Sequence, residues 1–457
     1  MSKTYRPYDP DQMFLMPPSV KDWLPTGHLA HFIADLVENL DLDAITSVYE
    51  REERGFPPYH PVMMVKVLLY AYCVGLPSSR KVERALVEDV ALRYLAANNT
   101  PDFRTISDFR KRHLEALRGL FLQVLRLCQK AGMIKLGHVA LDGTKMKANA
   151  SKHKAMSYGR MNKEEARLQA EVDELLRRAD EVDEAEDVEY GRDKRGDELP
   201  AELAYREGRL KKIREAKDAL EREARDEAEA RKREADAKRD EKGPGGSGND
   251  GPPAAPSDKA QKNFTDPDSR IMPQPGDRRA FMQAYNCQAA VDAKEQVIVA
   301  ADVVQQTNDS REAVPMLKQV ESNMGTVPSK ASMDAGYFSE DNVEGLKKMT
   351  VEAFIPPGRL KHGEAAPPAP RGRIPKGLSA KELARRKLST IRGRTIYAKR
   401  KVIVEPVFGQ IKQARGFRQF LLRGITKVKG EWSLICTTHN LLKLWRRTAF
   451  KTAFQAA

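Results

Sequence analysis

A chain of 457 residues, 40% hydrophobic and 32% charged, is long enough for two or three domains that each bury a core. Its early apolar runs are too short to cross a bilayer and no charged-then-apolar signal opens it, so cytoplasmic residence is expected. Four scattered cysteines without CxxC spacing exclude a disulfide framework and a cysteine zinc site, and a net charge of +14 points to a polyanionic partner, nucleic acid first.

Residues from about 10 to 130 read as helical. Pro61 to Tyr72 is strongly apolar, opens on a proline suited to a first helical turn, and stops near Gly75. Ser78-Ser79 followed by Glu83 has the spacing of a capped helix start, and Thr105 to His113 opens another helix with basic residues. Short basic helices fit a DNA-binding domain over 1–132, and they equally fit a helical bundle with solvated charges.

From Gly137 the pattern changes. His138 to Thr144 is a short apolar run in which a strand would deliver Asp142 at its end, opening an α/β region over 133–160 and 260–450. Between these segments, Leu168, Val172, Leu175, Ala179 and Val182 recur at spacings of four and three. Leu203, Leu210, Ile213 and Leu220 repeat the pattern after an interruption at Gly191 to Pro200. This predicts an antiparallel coiled-coil insertion over 161–242, followed by a flexible Gly/Pro/Ser linker over 243–259.

Strand patterns resume at Phe281–Asp292 and Gln296–Val304, close enough to pair as a hairpin. A helix over 311–324 follows, then a short strand ending at Asp334, a helix from Glu340 to Met349 and a strand over Val351–Ile355. That order is the order of a ribonuclease-H-like mixed sheet flanked by helices. A long basic helix begins near Thr395 and should be distorted at Pro406. Glu431 to Arg447 forms a last amphipathic helix, with Trp432 and Trp445 more suited to a core than to base stacking.

Three carboxylates stand out: Asp142 and Asp334 at strand ends, and Glu405 on the basic helix. Lys401, Glu405 and Lys412 lie along one helical face, beside an apolar stripe of Val404, Phe408 and Ile411 that would dock on the sheet. Two aspartates and a glutamate make a hard oxygen site for Mg²⁺ or Mn²⁺, and two such ions about 4 Å apart suit phosphodiester chemistry. Asp266 and Asp268 form a second acidic pair, which a proline-containing turn explains as well. The histidines show no metal spacing. Basic residues crowd 371–451, as a phosphate-tracking groove would require.

The motifs Phe56–Pro61, Leu141-Asp142-Gly143-Thr144, Thr265–Arg270, Tyr285-Asn286-Cys287-Gln288, Asp334-Ala335-Gly336-Tyr337 and Val404–Lys412 together resemble the DDE transposases of bacterial insertion sequences. The resemblance implies Asp142, Asp334 and Glu405 as the catalytic and metal-binding triad, with Mg²⁺ or Mn²⁺, two ions, as cofactor. It implies end cleavage and strand transfer on double-stranded DNA (terminal inverted repeats and target) by a dimer or higher assembly. The family pattern sets Tyr, two residues, Arg, three residues, Glu, six residues, Lys, and Glu405 and Lys412 fit it. Tyr397 and Arg400 have the first spacing but four residues separate Arg400 from Glu405, and Lys401 has the right distance to Glu405 but the wrong one to Tyr397. Arg400 and Lys401 compete for the arginine place, and helix geometry favours Lys401. Tyr397, Arg415, Arg418 and Arg423 are the expected DNA contacts. A non-catalytic repressor derived from such an enzyme, and a ribonuclease-H-like nuclease, are the alternative readings.

Overall fold

The computed structural model describes residues 19–51, 57–190, 201–242, 255–274, 277–358, 368–375 and 377–455. Phe56, the interruption at Gly191–Pro200 and most of the linker after Gly243 lie outside them.

Seven helices come first: α1 (Leu29–Val37), α2 (Asp43–Glu50), α3 (Pro61–Cys73), α4 (Ser79–Glu88), α5 (Val90–Leu95), α6 (Phe103–Arg112) and α7 (Leu114–Lys130). Pro61 occupies the first turn of α3, whose ten buried residues make it the centre of this bundle. The expected capping box at α4 is absent. Ser78 is its N-cap and makes no side-chain cap bond, whereas Asp102 caps α6 through the N–H groups of Arg104 and Thr105.

The sheet begins with β1 (Val139–Lys147). Next come β2 (Ala155–Ser157), the long helices α8 (Tyr158–Tyr190) and α9 (Ala201–Lys242), and β3 (Gln261–Asn263), which pairs antiparallel with β2 at the hairpin's root. Glu165 binds Arg214 and Lys217 while Glu171 binds Arg206, so α9 descends as α8 ascends. Met161, Leu168, Leu210, Ile213, Ala216 and Leu220 form a small core separate from the main one. Val172 and Leu203 are buried as the heptad pattern requires, while the side chains of Ala179 and Val182 are outside the described set.

Then follow β4 (Arg270–Gln274), β5 (Asp277–Asp292), β6 (Ile298–Val304), α10 (Ala313–Met324), β7 (Lys330–Ser332), α11 (Glu340–Lys348), β8 (Glu352–Phe354), α12 (Ala380–Ser389), α13 (Ile391–Gly409) and α14 (Ile425–Gln455). The strand order is β4-β5-β1-β7-β8, with β6 also on β5. The β1–β5, β4–β5 and β5–β6 pairs are antiparallel; β1–β7 and β7–β8 are parallel. This is the mixed sheet of a ribonuclease-H-like α/β fold, preceded by helices and interrupted by a helical hairpin. Asp142 does not end its strand: β1 continues five residues further, to Lys147.

The basic helix α13 starts at Ile391, four residues before Thr395, because Thr390 caps it by accepting the Gly393 N–H. Pro406 does not break it. A proline at this position deprives the carbonyl four residues back of its donor, and Gln296, in the β5–β6 turn, supplies one to Val402 at 2.8 Å. The helix then widens into a π-turn over Gln410–Ala414.

Helix α14 starts at Ile425, earlier than expected, and packs against α3 and α7 on one side and β6 on the other. Its buried polar residues are matched one by one. Asn440 bonds both backbone groups of Ile298, and Trp432 Nε1 donates to the Gln288 carbonyl at 3.1 Å. Trp445 Nε1 donates to Gly27. One continuous core runs from Leu29 to Leu444, joining the early helices to the sheet. All four cysteines are free and buried. Among the described residues no helix is long and apolar enough to cross a membrane.

Candidate active site

Parallel pairing aligns Val139 with Ala331 and Ala140 with Ser332, and the same register brings Asp142 level with Asp334 just beyond β7. Asp334 caps a short 3-10 turn, its Oδ1 accepting the Gly336 N–H at 2.8 Å. Asp142 Oδ1 accepts the Gly143 N–H at 3.0 Å. Burial pushes the Asp142 carboxyl up to about 6; the Arg400 guanidinium pulls it down, and Asp334 adds a smaller upward push.

Helix α13 crosses this edge. Arg400 Nη1 lies 3.0 Å from Asp142 Oδ2, and its Nη2 lies 3.8 Å from Glu405 Oε1. Arg400 therefore bridges the buried aspartate and a glutamate that is itself 54% exposed. The Tyr397 ring, one turn earlier, stands 6.0 Å from the same guanidinium. Lys401 is exposed. Among the described residues Lys401 forms no ion pair with these carboxylates, and it is Arg400, five residues before Glu405, that reaches both sides from its own turn. Lys412, in the π-turn, donates to Thr144 Oγ1 and to the Lys145 carbonyl at 2.8 Å, pinning α13 to β1 two residues from Asp142. Val404, Phe408 and Ile411 are buried as the docking stripe.

The oxygen donors of Asp142 and Asp334 fit a hard divalent cation, which would offset the cost of burying the Asp142 charge. Glu405 does not converge with them: among the described residues no three His, Cys, Asp or Glu side chains stand close enough to share an ion. Arg400 fills the gap between the two sides as a counter-charge.

On the opposite face of β1 lies a polar network that sequence reasoning missed. Asp309 Oδ1 accepts Asn286 Nδ2 at 2.7 Å and Gln288 Nε2 at 2.6 Å, and the Tyr337 hydroxyl donates to Gln288 Oε1. A Cβ on Gly143 would stand 2.6 Å from Gln288 Nε2 and 2.7 Å from Asp309 Oδ1, so any side chain there must push this hydrogen-bonded network apart. The Lys145 ammonium is buried beside these groups without a hydrogen-bond partner. Asn286, Gln288 and Tyr337 belonged to recognised motifs, but nothing local in the sequence pointed to Asp309.

Several expected contacts lie elsewhere. Arg415 is 7% exposed and donates to Thr438 Oγ1 and the Ile435 carbonyl, so it is a buried structural cation and not a DNA contact. Gly75, at φ +81°, lies so close that a Cβ would meet the Arg415 carbonyl oxygen at 2.4 Å. Arg418 and Arg423 are exposed. Asp266 accepts the Tyr285 hydroxyl at 2.7 Å and the Gly424 N–H, while Asp268 accepts the Ile425 N–H; together they anchor the start of α14. His138 bonds Ser332 Oγ, and His439 the Gln296 carbonyl.

Residues 18–112 match the family model described as "Transposase domain (DUF772)", and residues 259–441 match "Transposase DDE domain". No curated protein and no solved structure matches the chain.

Proposed function

The chain belongs to the insertion-sequence DDE transposase family, and from this premise we propose that it cuts DNA at the ends of its element and joins those ends to target DNA, using Asp142, Asp334 and Glu405. The observation that carries the residue assignment is the Arg400 bridge, which ties Asp142 to Glu405 on the edge where Asp334 stands level with Asp142.

In this reading Asp142 and Asp334 would hold divalent ions, Mg²⁺ or Mn²⁺, two in number, and Glu405, which stands apart from them here, would join as a third donor once the ions and DNA are bound. Bound there, the ions supply activation of the attacking oxygen and charge stabilisation of the leaving one. Arg400 neutralises the carboxylates beforehand and is then free to meet a phosphate oxygen. Lys412 keeps α13 at a fixed distance from β1. Water oxygen bonds to phosphorus at the element end, the P–O3′ bond breaks, and the 3′-oxygen leaves as a hydroxyl. That hydroxyl then attacks a target phosphorus, displacing the target's own 3′-oxygen.

We assign residues 1–132 to DNA binding and 133–160 with 260–450 to catalysis. Arg418, Arg423 and Tyr397 serve the DNA, and a dimer or higher assembly acts in the cytoplasm. The test is the purified chain with Mg²⁺ and a labelled duplex bearing the element's terminal repeats. Nicking at the end, lost in Asp142→Ala, Asp334→Ala and Glu405→Ala, is expected. Binding without nicking would leave a repressor, and cleavage of RNA–DNA hybrids alone would leave a nuclease.

A further inference from the structure

Beyond the carboxylates, β1 leads from Asp142 to Lys147, a distance of roughly 17 Å at the rise of an extended strand. There two adjoining cavities open, of about 700 and 680 Å³. They share His153, Lys154 and Thr265, and so form one groove from the end of β1 to the root of the helical hairpin. Lys147, Lys152 and Arg423 line its near part, and Lys154, Arg209 and Lys212 its far part. Among the described residues no Asp or Glu lines either cavity, and none of these six side chains is in an ion pair. Glu164 of α8, partly buried and paired with Arg167, acts on Arg209 and on Arg160, a further cation of the groove, without forming an ion pair with either.

Six exposed cations outside any ion pair and lining one groove repel one another, and a fold keeps such a set only at a cost that a polyanion relieves. Two aromatic rings stand in the same groove, Phe281 at 49% and Tyr205 at 68% exposure. Large apolar rings left in water beside lysines suit the sugar edges and bases of a nucleic acid. The groove is also tied to the catalytic edge: the Lys147 N–H donates to the Arg418 carbonyl, and Arg418 Nε donates to the Lys412 carbonyl.

We propose that this groove tracks the phosphate backbone of duplex DNA lying alongside the cut phosphate, beginning about five base pairs from it at the B-form rise. The helical hairpin then serves as one wall of a DNA channel: α9 contributes Arg209, Lys212 and Tyr205, and the loop after β1 contributes Lys152 and Lys154. The proposal rests on the reading of the chain as a DNA-processing enzyme. Contacts of this kind set register and affinity, not sequence choice.

The test measures binding of the full chain to a fluorescent random-sequence 30-base-pair duplex across a salt series. Lys152→Ala, Lys154→Ala and Lys212→Ala are combined in one groove variant. Lys318→Ala, Lys347→Ala and Lys348→Ala make a control of equal charge loss at other exposed sites. The groove variant is expected to bind at least tenfold more weakly, with its salt slope reduced by about two to three, and the control to stay near wild type. Unchanged thermal unfolding of both variants shows that the fold is intact. A groove variant that binds like wild type, or a control that loses as much, overturns the groove while leaving the proposed function standing. A wild-type chain that binds no duplex at all overturns both.

Discussion

The side-chain amide of Gln296 donates to the carbonyl of Val402 at 2.8 Å, across 106 residues of chain. Pro406 has no N–H for that carbonyl, so a turn residue of the β5–β6 hairpin completes the helix that carries Arg400 and Glu405. Replacing Gln296 with Met removes this donor from an exposed helix carbonyl, and the acceptor of Lys443, and is expected to cost about 0.5–1.5 kcal/mol. Adding Pro406→Ala restores a donor within the helix, so the double variant should lose less than the sum of the single changes. Urea unfolding of the four proteins checks this, and strict additivity would refute the link.

Arg400 and Lys401 are neighbours in sequence with opposite surroundings. Arg400→Ala removes the cation bridging Asp142 and Glu405, and should lower end nicking roughly hundredfold, the scale of losing one charge-stabilising donor. Lys401→Ala should stay within about threefold. Nicking rates at saturating duplex decide between them; a larger loss in the lysine variant would return the role to Lys401.

Asp142 carries the clearest pH signature. Its carboxyl is raised from 3.8 to about 6, chiefly by burial, so its charged form is disfavoured in the folded chain. The stability this protonated group contributes is therefore present below about pH 4 and is lost as pH rises through about 6. In chelator, Asp142→Asn should be more stable than wild type at pH 8, by on the order of 2 kcal/mol, and show little difference at pH 4. Mg²⁺ added at pH 8 should raise the unfolding midpoint of wild type and leave that of the variant unchanged. Equal differences at both pH values would contradict the burial argument.

Gly143→Ala places a methyl group 2.6–3.0 Å from Gln288, Asp309 and Asn286. The network must open or β1 must shift, and either is expected to cost about 1–3 kcal/mol. A thermal midpoint equal to that of wild type would show the network to be looser than these distances. Because Gly143 adjoins Asp142, nicking should fall further than stability alone explains.

Most of the sheet was readable in advance because its pattern is local. The Phe281–Asp292 and Gln296–Val304 runs, Ala313–Met324 and the buried heptad positions of the hairpin all announce themselves within a dozen residues. The errors share a cause in distant partners. Asp142 looked like a strand end because Gly143 reads as a turn residue, whereas this glycine makes room for a carboxylate 166 positions away. Pro406 reads as a distortion or a local break, yet the helix runs on past it because its remedy, Gln296, lies in another element. Arg415 looked like a DNA contact because burial cannot be read from charge. Arg400 lost to Lys401 on helical spacing because spacing ignores how far a guanidinium reaches across its own turn.

Helix α14 lies between the early helices and the sheet, with Ser433 bonded to Arg118 and Asn440 to Ile298. A ribosome delivers this helix after everything it covers. Until then the apolar sides of α3, α7 and β6 stay bare, so the growing chain must wait, open and sticky, for this helix. A messenger cut short before this helix yields a product with no closed core, one that proteases clear. Only a chain read through Leu444 closes the core that joins the early helices to the sheet.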